Sequence, residues 1–482
     1  MSCPNPGHTS RDRHNRESRT RHPVRSLLLI TVWTRYIRHT HATENLLATE
    51  TQTDNAARKV LRVRDLHQTS GHPCQIVGRL HQKEQSWYLR DWSGEVPLNL
   101  PKDTADIRNH GMGRVFGSWD GQRLTVDSWV SLCPETRQTI AEPELPPGPE
   151  RALTDTDFIR RIQLRTEYIR STRQYFDELG FLEVDTPCLV AEPGCDPHIQ
   201  LFKTTYQPLA GTGQSTELYL HTSPELAMKR LLVSGAKAIY RVGSVFRNGE
   251  ADATHRPEFL MLEWYRVGDT LDDLMNVTEG LFHRLYEHAL SQGFNPPPLP
   301  SAFQRLPLRD VFFEATGVDL LETFDPAGFA TLLTKQGLGP YPEKSDYSQI
   351  FHQAWVESVE ELVTKYSPCF LFDYPAPLAL LSRLHPKEPR LARRVEAFYG
   401  GLEMANGFEE LTDPVEQRHR FEQDRHKAVQ AGHTPPPLPE GFLRALELGC
   451  PPTAGIAIGL DRMVQLTTGV SALADVNPLV IP

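Results

Sequence analysis

The stretch YRVGSVFRNGEADATHRPEF, from Tyr240 to Phe259, sets Arg241, Arg247 and Arg256, the acids Glu250 and Asp252, and His255 between two apolar runs. A phosphate group calls for a cation that cannot lose its charge, held on a rigid element. Arg247, at the end of a strand-like run, meets that requirement. A purine ring calls for flat partners above and below: Phe259 can supply one face and an arginine the other. Taken alone, the segment also reads as a solvated loop of mixed charge, so its meaning rests on the elements around it.

Those elements are of mixed type. AIYRVGSVFRN and EFLMLEWYRVG read as two antiparallel strands flanking the charged loop. Ahead of them, SPELAMKRLLVSG opens a helix. Ser223 can cap it, Pro224 suits its first turn, and Glu225 favours its positive end. Phe158, Ile162, Ile169, Phe176 and Leu179 recur at helical spacing up to Gly180, and FLEVDTP follows as a strand stopped by Pro187. TELYLH reads as a strand, and helices are expected over 271–291, about 327–337 and 348–364. VEAFYGGLEMANGFEEL and AGIAIGLDRMVQLTTG close the chain.

Composition bounds the rest. With 39% apolar and 23% charged residues, the 482-residue chain has a globular composition and room for two or three domains. The N-terminal apolar run Leu27 to Trp33 is too short to span a bilayer. The seven cysteines are scattered without a CxxC pair, so neither a zinc site nor a disulfide framework is expected, and the compartment expected is the cytoplasm. Eight arginines against Asp12 and Glu17 make residues 1–40 about +6, leaving about −16 on the remainder. Residues 1–57 read as a disordered basic tail, 58–140 as a small β-barrel of the oligonucleotide-binding type, 141–154 as a Pro-rich linker and 155–482 as the α+β catalytic domain.

GFLEVDTP (180–187), FRNGEADATHRPEF (246–259) and GIAIGLDRMV (455–464) resemble motifs 1, 2 and 3 of the class II aminoacyl-tRNA synthetases. TSPELAMKRLL (222–232) and GLEMANGFEELTD (401–413) resemble the lysine-pocket segments of the lysine branch. Within that branch, PEFLMLEWYR, ELTDPVEQRHRFEQD, SALADV and Ala457 in GIAIG are more similar to the elongation factor P lysyltransferases, or (R)-β-lysine ligases. The resemblance implies an antiparallel sheet flanked by helices, a homodimer formed through motif 1, and use of ATP with Mg²⁺. It implies activation of β-lysine or lysine as an adenylate and transfer to a lysine side chain of elongation factor P.

Residue roles follow from the same resemblance. Arg247 and Arg462 are the catalytic residues. Arg247 holds the α-phosphate, Phe259 and Arg462 sandwich the adenine, and His255 stands by the triphosphate. Asn248, Arg256, Glu403, Met404 and Gly459 complete the ATP site, and Glu396 with Glu403 hold Mg²⁺. Glu410 takes the distal ammonium of the substrate, and Glu225 and Glu263 the proximal one. Ser223, Pro224, Tyr265, Asn406 and Ala457 line the same pocket.

The pattern departs from the family in three places. Arg247-Asn248-Gly249 stands where the family has Arg-Asn-Glu, with Glu250 displaced by one position. Arg256 replaces an asparagine. The N-terminal module is more usual ahead of lysyl-tRNA synthetases. Two other functions remain as alternatives: a lysyl-tRNA synthetase charging tRNA(Lys), and a non-catalytic paralogue binding lysine or RNA.

Overall fold

The computed structural model describes residues 60–476 apart from 70, 84, 92, 102–110, 133–156, 198, 210–212 and 431. The basic segment 1–57 and the Pro-rich stretch 141–154 lie outside the described residues. Contacts divide the chain into two units, Met1–Thr136 and Arg137–Pro482.

The first unit contains β1 (Val60–Leu61), β2 (Pro73–Lys83), β3 (Ser86–Asp91), β4 (Gly94–Asn99), β5 (Met112–Trp119) and β6 (Leu124–Ser131). Strands β2, β3, β4, β6 and β5 pair in that order, and β5 pairs again with β2, so the five strands close a circuit. Ile76, Leu80, Leu89, Val96, Leu98, Val115, Leu124 and Val126 are buried together. Their largely alternate spacing along the strands is what a small closed sheet requires of its inner face. A sixth strand, β1, is a two-residue parallel addition to β2.

The second unit begins with α1 (Phe158–Glu178), β7 (Leu182–Glu183), β8 (Leu189–Val190), β9 (Lys203–Tyr206), β10 (Thr216–Leu220) and α2 (Glu225–Val233). The hairpin β11 (Ala238–Phe246) and β12 (Glu258–Val267) follows, then α3 (Leu271–Ser291), β13 (Gln304–Pro307), α4 (Leu308–Thr316) and α5 (Pro326–Lys335). Next come α6 (Tyr347–Ala354), α7 (Glu360–Tyr366), β14 (Cys369–Pro375), β15 (Leu391–Tyr399) and β16 (Leu402–Glu409). The last elements are α8 (Pro414–Gln430), α9 (Glu440–Glu447), β17 (Thr453–Gly459) and α10 (Leu460–Thr468).

Eight strands form one sheet in the order β13-β14-β15-β16-β17-β12-β11-β7, antiparallel except for the outermost pair at each edge. Alternation divides it into two faces. Leu262, Trp264, Ile456, Ile458, Val395, Ala397 and Ala405 pack into one core with Phe176 of α1 and Leu274 and Phe282 of α3. Burying the larger of these side chains, at about 1.5–3 kcal/mol each, anchors this face, while the other carries a second core at β14 and β15 and the polar residues of the site. Two expectations are trimmed. Of FLEVDTP only Leu182–Glu183 pairs, in parallel with β11. The helix expected over 348–364 is interrupted by a wider π-helical turn at Trp355–Val359.

Candidate active site

Strand register draws a line across the polar face. Arg241 on β11 opposes Glu263 on β12; Glu263 opposes Ala457 on β17; Ala457 opposes Asn406 on β16; Asn406 opposes Glu396 on β15. Directly opposed residues share a face, so segments more than 150 residues apart in sequence converge on one floor. Glu403 reaches this face through a bulge. Ala397 opposes Ala405, yet Phe398 opposes Glu403, so one extra residue sits on β16. That residue resets the alternation, placing Glu403 on the side of Asn406 and turning Met404 into the core, where it is buried. Met404, expected in the ATP site, therefore has its side chain in the core and its backbone left to face the cleft.

Arg247 leaves the end of β11 with its backbone N–H donating to the Pro257 carbonyl at 2.9 Å. Its guanidinium lies over the Phe259 ring, 5.3 Å from the centroid. Arg462, expected on the other side of the adenine from Phe259, ties the loop to β16. Its Nε donates to the Thr254 carbonyl at 3.2 Å and its Nη1 to the Glu403 carbonyl at 2.8 Å. Its Nη2 lies 2.7 Å from His255 Nε2. An arginine N–H can only donate, so Nε2 accepts and the imidazole proton sits on Nδ1, 2.9 Å from Asp252 Oδ2. Asn248 bridges to Gln200 through its backbone N–H at 3.0 Å.

The departures in this loop have structural counterparts. Gly249 has φ +83°, a conformation that favours glycine. Residues 247–257 lie between the two strands, so strict face alternation does not apply to them. Glu250, one position late, turns back to place Oε2 3.8 Å from Arg247 Nη1. Arg247 Nε and Arg256 Nη2 are buried donors without a hydrogen-bond partner. Arg256 thus keeps one buried N–H without a partner among the described residues.

A cleft of about 310 Å³ opens beside this loop, lined among others by His255, Arg394, Glu396, Glu403, Asn406 and Arg462. Glu396 is already engaged: Tyr374 O–H donates to its Oε2 at 2.6 Å and Arg394 pairs with its Oε1. Asn406 Oδ1 accepts from Arg394 Nε at 3.3 Å. The Glu403 carboxylate is open to the cleft and makes no hydrogen bond or ion pair among the described residues. Desolvation by the walls of the cleft, with Glu396 beside it, raises its pKa above the ordinary glutamate value. No group of three or more Asp, Glu, His or Cys among the described residues could hold a metal alone. The donor set fits a hard cation that takes one or two carboxylates and draws its other ligands from a bound phosphate and water.

The second half of the site is a cluster of buried charge. Ser223 Oγ donates to Glu263 Oε2 at 2.9 Å and accepts from the Glu225 backbone N–H at 3.0 Å. Tyr265 O–H donates to Glu263 Oε1 at 2.5 Å. Pro224 begins the turn that aims Glu225, its carbonyl accepting from Met228 N–H at 3.0 Å. A Cβ on Gly455 would come within 2.2 Å of the Tyr265 ring, so that glycine is required by the ring packed on it. Gly459 is different: an added Cβ would meet only Arg462, at 3.7 Å, so the protein's own packing leaves room there.

Lys229 lies in the middle of these acids, 1% exposed, with Nζ 2.5 Å from Glu225 Oε1 and paired with Glu410. Burial works against its charge, but Glu225 and Glu410 more than offset it, leaving Lys229 above the ordinary lysine value. Burial, reinforced by Glu225, lifts Glu263 to about 7. Burial lifts Glu410 to about 8 even though Lys229 pulls it down. At contact distance we take Lys229 and Glu410 as a charged pair, since a buried ammonium beside a neutral acid would lose half of its compensation.

Three residues here escaped the sequence reading. Lys229 stands four positions after Glu225, a spacing that pairs a glutamate with a lysine on one helix face, and that was the available signal. Arg394 precedes Glu396 by two and so shares its face. Nothing in the sequence pointed to Tyr374.

The antiparallel sheet with this floor defines a class. Residues 151–480 match the model of the tRNA synthetases class II (D, K and N), and the chain belongs to that family. Among curated proteins it is similar to the elongation factor P–(R)-β-lysine ligase of Vibrio vulnificus (strain YJ016), 35% identical over 328 residues, covering 68% of this chain and 97% of the relative. The proteins of the same name from Edwardsiella ictaluri (strain 93-146) and Erwinia tasmaniensis are 35% identical over 313 and 319 residues, covering 92% and 94% of those relatives.

Proposed function

We propose that the chain uses ATP to activate (R)-β-lysine, or lysine, and passes the aminoacyl group to a lysine side chain of elongation factor P. The carrying observation is the row Glu263–Ala457–Asn406–Glu396, which joins a cluster of buried acids to a cleft edged by cations. The names and coverage of the relatives support the same reading.

In the first step a carboxylate oxygen of the amino acid attacks the α-phosphorus of ATP, and pyrophosphate leaves. Arg247 is a fixed positive charge for the phosphorus centre, and Arg256 and His255 flank the departing phosphates. Glu403, with Glu396 beside it, would hold Mg²⁺, which supplies charge neutralisation on the phosphate oxygens. Glu225, Glu263 and Glu410 replace the hydration of the substrate ammonium groups. In the second step the neutral acceptor amine attacks the acyl carbonyl, AMP leaves, an amide forms and the amine proton is released. Orientation carries this step, since amine and acyl adenylate are reactive once aligned.

Ala457 lies between Glu263 and Asn406, so its methyl group takes volume from the pocket floor. Ala457→Gly is expected to move preference towards lysine by roughly 5- to 150-fold, the worth of a contact of about 1–3 kcal/mol. The test of the whole reading is pyrophosphate exchange with lysine and both β-lysine enantiomers, followed by mass analysis of elongation factor P. Exchange with α-lysine only, together with charging of tRNA(Lys) and no mass gain on the factor, refutes it. That outcome would support the lysyl-tRNA synthetase alternative, which the closed five-strand unit ahead of the catalytic domain favours.

A further inference from the structure

The three acids expected to meet the substrate ammonium groups are not waiting empty-handed. Lys229 bridges two of them, Glu225 from its own helix and Glu410 from just beyond β16. Its Nζ is also 6.0 Å from the centroid of the Tyr265 ring. Lys229 and Glu410 are almost wholly buried, as are Glu263 and Tyr265 beside them. The protein's own acids hold this lysine in place, while both Glu410 carboxylate oxygens still lack a hydrogen-bond partner among the described residues.

We propose that Lys229 is a built-in counter-ion that keeps Glu410 ionised in this buried cluster, so that an arriving ammonium group meets a carboxylate rather than a carboxylic acid. Three clustered carboxylates with little water cannot all stay charged, and the group that gives way takes a proton. A proton on Glu410 turns an acceptor into a partial donor, and a cationic substrate must then displace it. Lys229 removes that competition at Glu410, and once an arriving ammonium group displaces the proton held on Glu263 the cluster carries two negative charges in excess. Two charges match a substrate with two ammonium groups, whose carboxylate becomes part of the adenylate. Lys229 is thus a positioning residue that acts through its glutamates and sets the pocket's preference for diammonium over monoammonium amino acids. The groups facing it are Glu225 on α2, Glu263 and Tyr265 on β12, Glu410, and Cys450 ahead of β17. The pull of Lys229 on Glu410, opposite to that of burial, agrees in direction.

This inference rests on the lysine-activating reading above, and its test has one arm that needs no turnover. Glutamate carboxylates are followed by ¹³C NMR against pH in the ligand-free full chain, with Glu410→Gln to assign the signal. In Lys229→Met the Glu410 midpoint is expected to rise by about one pH unit or more, a tenfold change in proton affinity. Lys229→Arg is expected to restore it, and Lys229→Gln serves if the methionine variant does not fold. In pyrophosphate exchange at pH 7, Lys229→Met is expected to raise KM for the diammonium substrate at least about tenfold with little change in kcat. That penalty should fade towards pH 9 as the freed carboxyl ionises without help. A purely structural role predicts a loss that is the same at every pH and no displaced midpoint, and either result overturns the proposal. A wild type that activates no lysine isomer refutes the functional reading instead, while the midpoint still decides what Lys229 does.

Discussion

At the scale of single residues, the site is a set of charges whose partners are partly missing. Arg256 keeps a buried guanidinium N–H without a partner, and a hydrogen bond involving a charged group is worth about 1.5–3 kcal/mol. If a phosphate oxygen is that partner, Arg256→Ala should raise KM for ATP by roughly 10- to 100-fold in pyrophosphate exchange while KM for the amino acid stays within about twofold. An unchanged KM for ATP would show that Arg256 only braces the loop. Glu263 carries a different prediction. Its pKa in the folded chain, raised to about 7 by burial and by Glu225, lies above the ordinary glutamate value. The native protein therefore holds a proton there that the unfolded chain releases. The stability this proton confers is complete below the ordinary value and is lost as pH rises through about 7. A bound ammonium group replaces the proton, so the rise in melting temperature given by saturating substrate should grow from pH 5 to pH 8. A flat or falling ligand shift in thermal unfolding would exclude Glu263 from the ammonium site.

At the scale of elements, the floor depends on register and on one bulge. The sequence made the main pieces legible because each chemical residue sits in a strand or helix with a plain signal. Near-continuous apolar runs rich in β-branched and aromatic residues marked β11 and β12, and the Ser-Pro-Glu opening marked α2. Motif resemblance then placed Glu263, Arg247 and Glu403 in one site. What stayed hidden was what alternation could not show. Glu396 and Glu403 are seven apart, and only the extra residue on β16 puts both on one face and sends Met404 to the core. Arg247 over Phe259 and the tie of Arg462 to His255 are side-chain choices that no spacing encodes. The brace of the charged loop is equally non-local. Leu473 N–H donates to the Ala253 carbonyl at 2.8 Å, and Gln465 reaches the same carbonyl at 3.2 Å. Asp461, buried at the start of α10, accepts from Arg165 of α1 at 2.6 Å and from the Leu260 N–H at 2.9 Å. The element-scale prediction concerns Gly455. With a Cβ only 2.2 Å from the Tyr265 ring, Gly455→Ala must displace the ring or the strand, at a cost of about 1–3 kcal/mol. It should lower the melting temperature and raise KM for the amino acid, while KM for ATP changes little. Equal losses on both substrates would mean that the strand, not the ring, had moved.

At the scale of the whole molecule, no described residue of the first unit belongs to the candidate site, and the family match begins at residue 151. The second unit contains its own sheet, two large cores and every residue named above for ATP, cation and amino acid. Activation of the amino acid should therefore be a property of that unit. A chain beginning at residue 151 is expected to keep pyrophosphate exchange within about threefold of the full-length rate, since catalytic geometry fixed inside one packed unit does not draw on another. Transfer is the step that asks something of the first unit. A closed five-strand sheet is a scaffold on which macromolecules are bound by loops and one face, and the second substrate of the proposed reaction is a macromolecule. Full-length and shortened chains should accordingly differ in KM for elongation factor P and agree in KM for ATP and lysine. If the shortened chain transfers equally well to the factor, the first unit serves something other than this acceptor. If the shortened chain loses exchange itself, the division of labour is wrong and the first unit completes the active site.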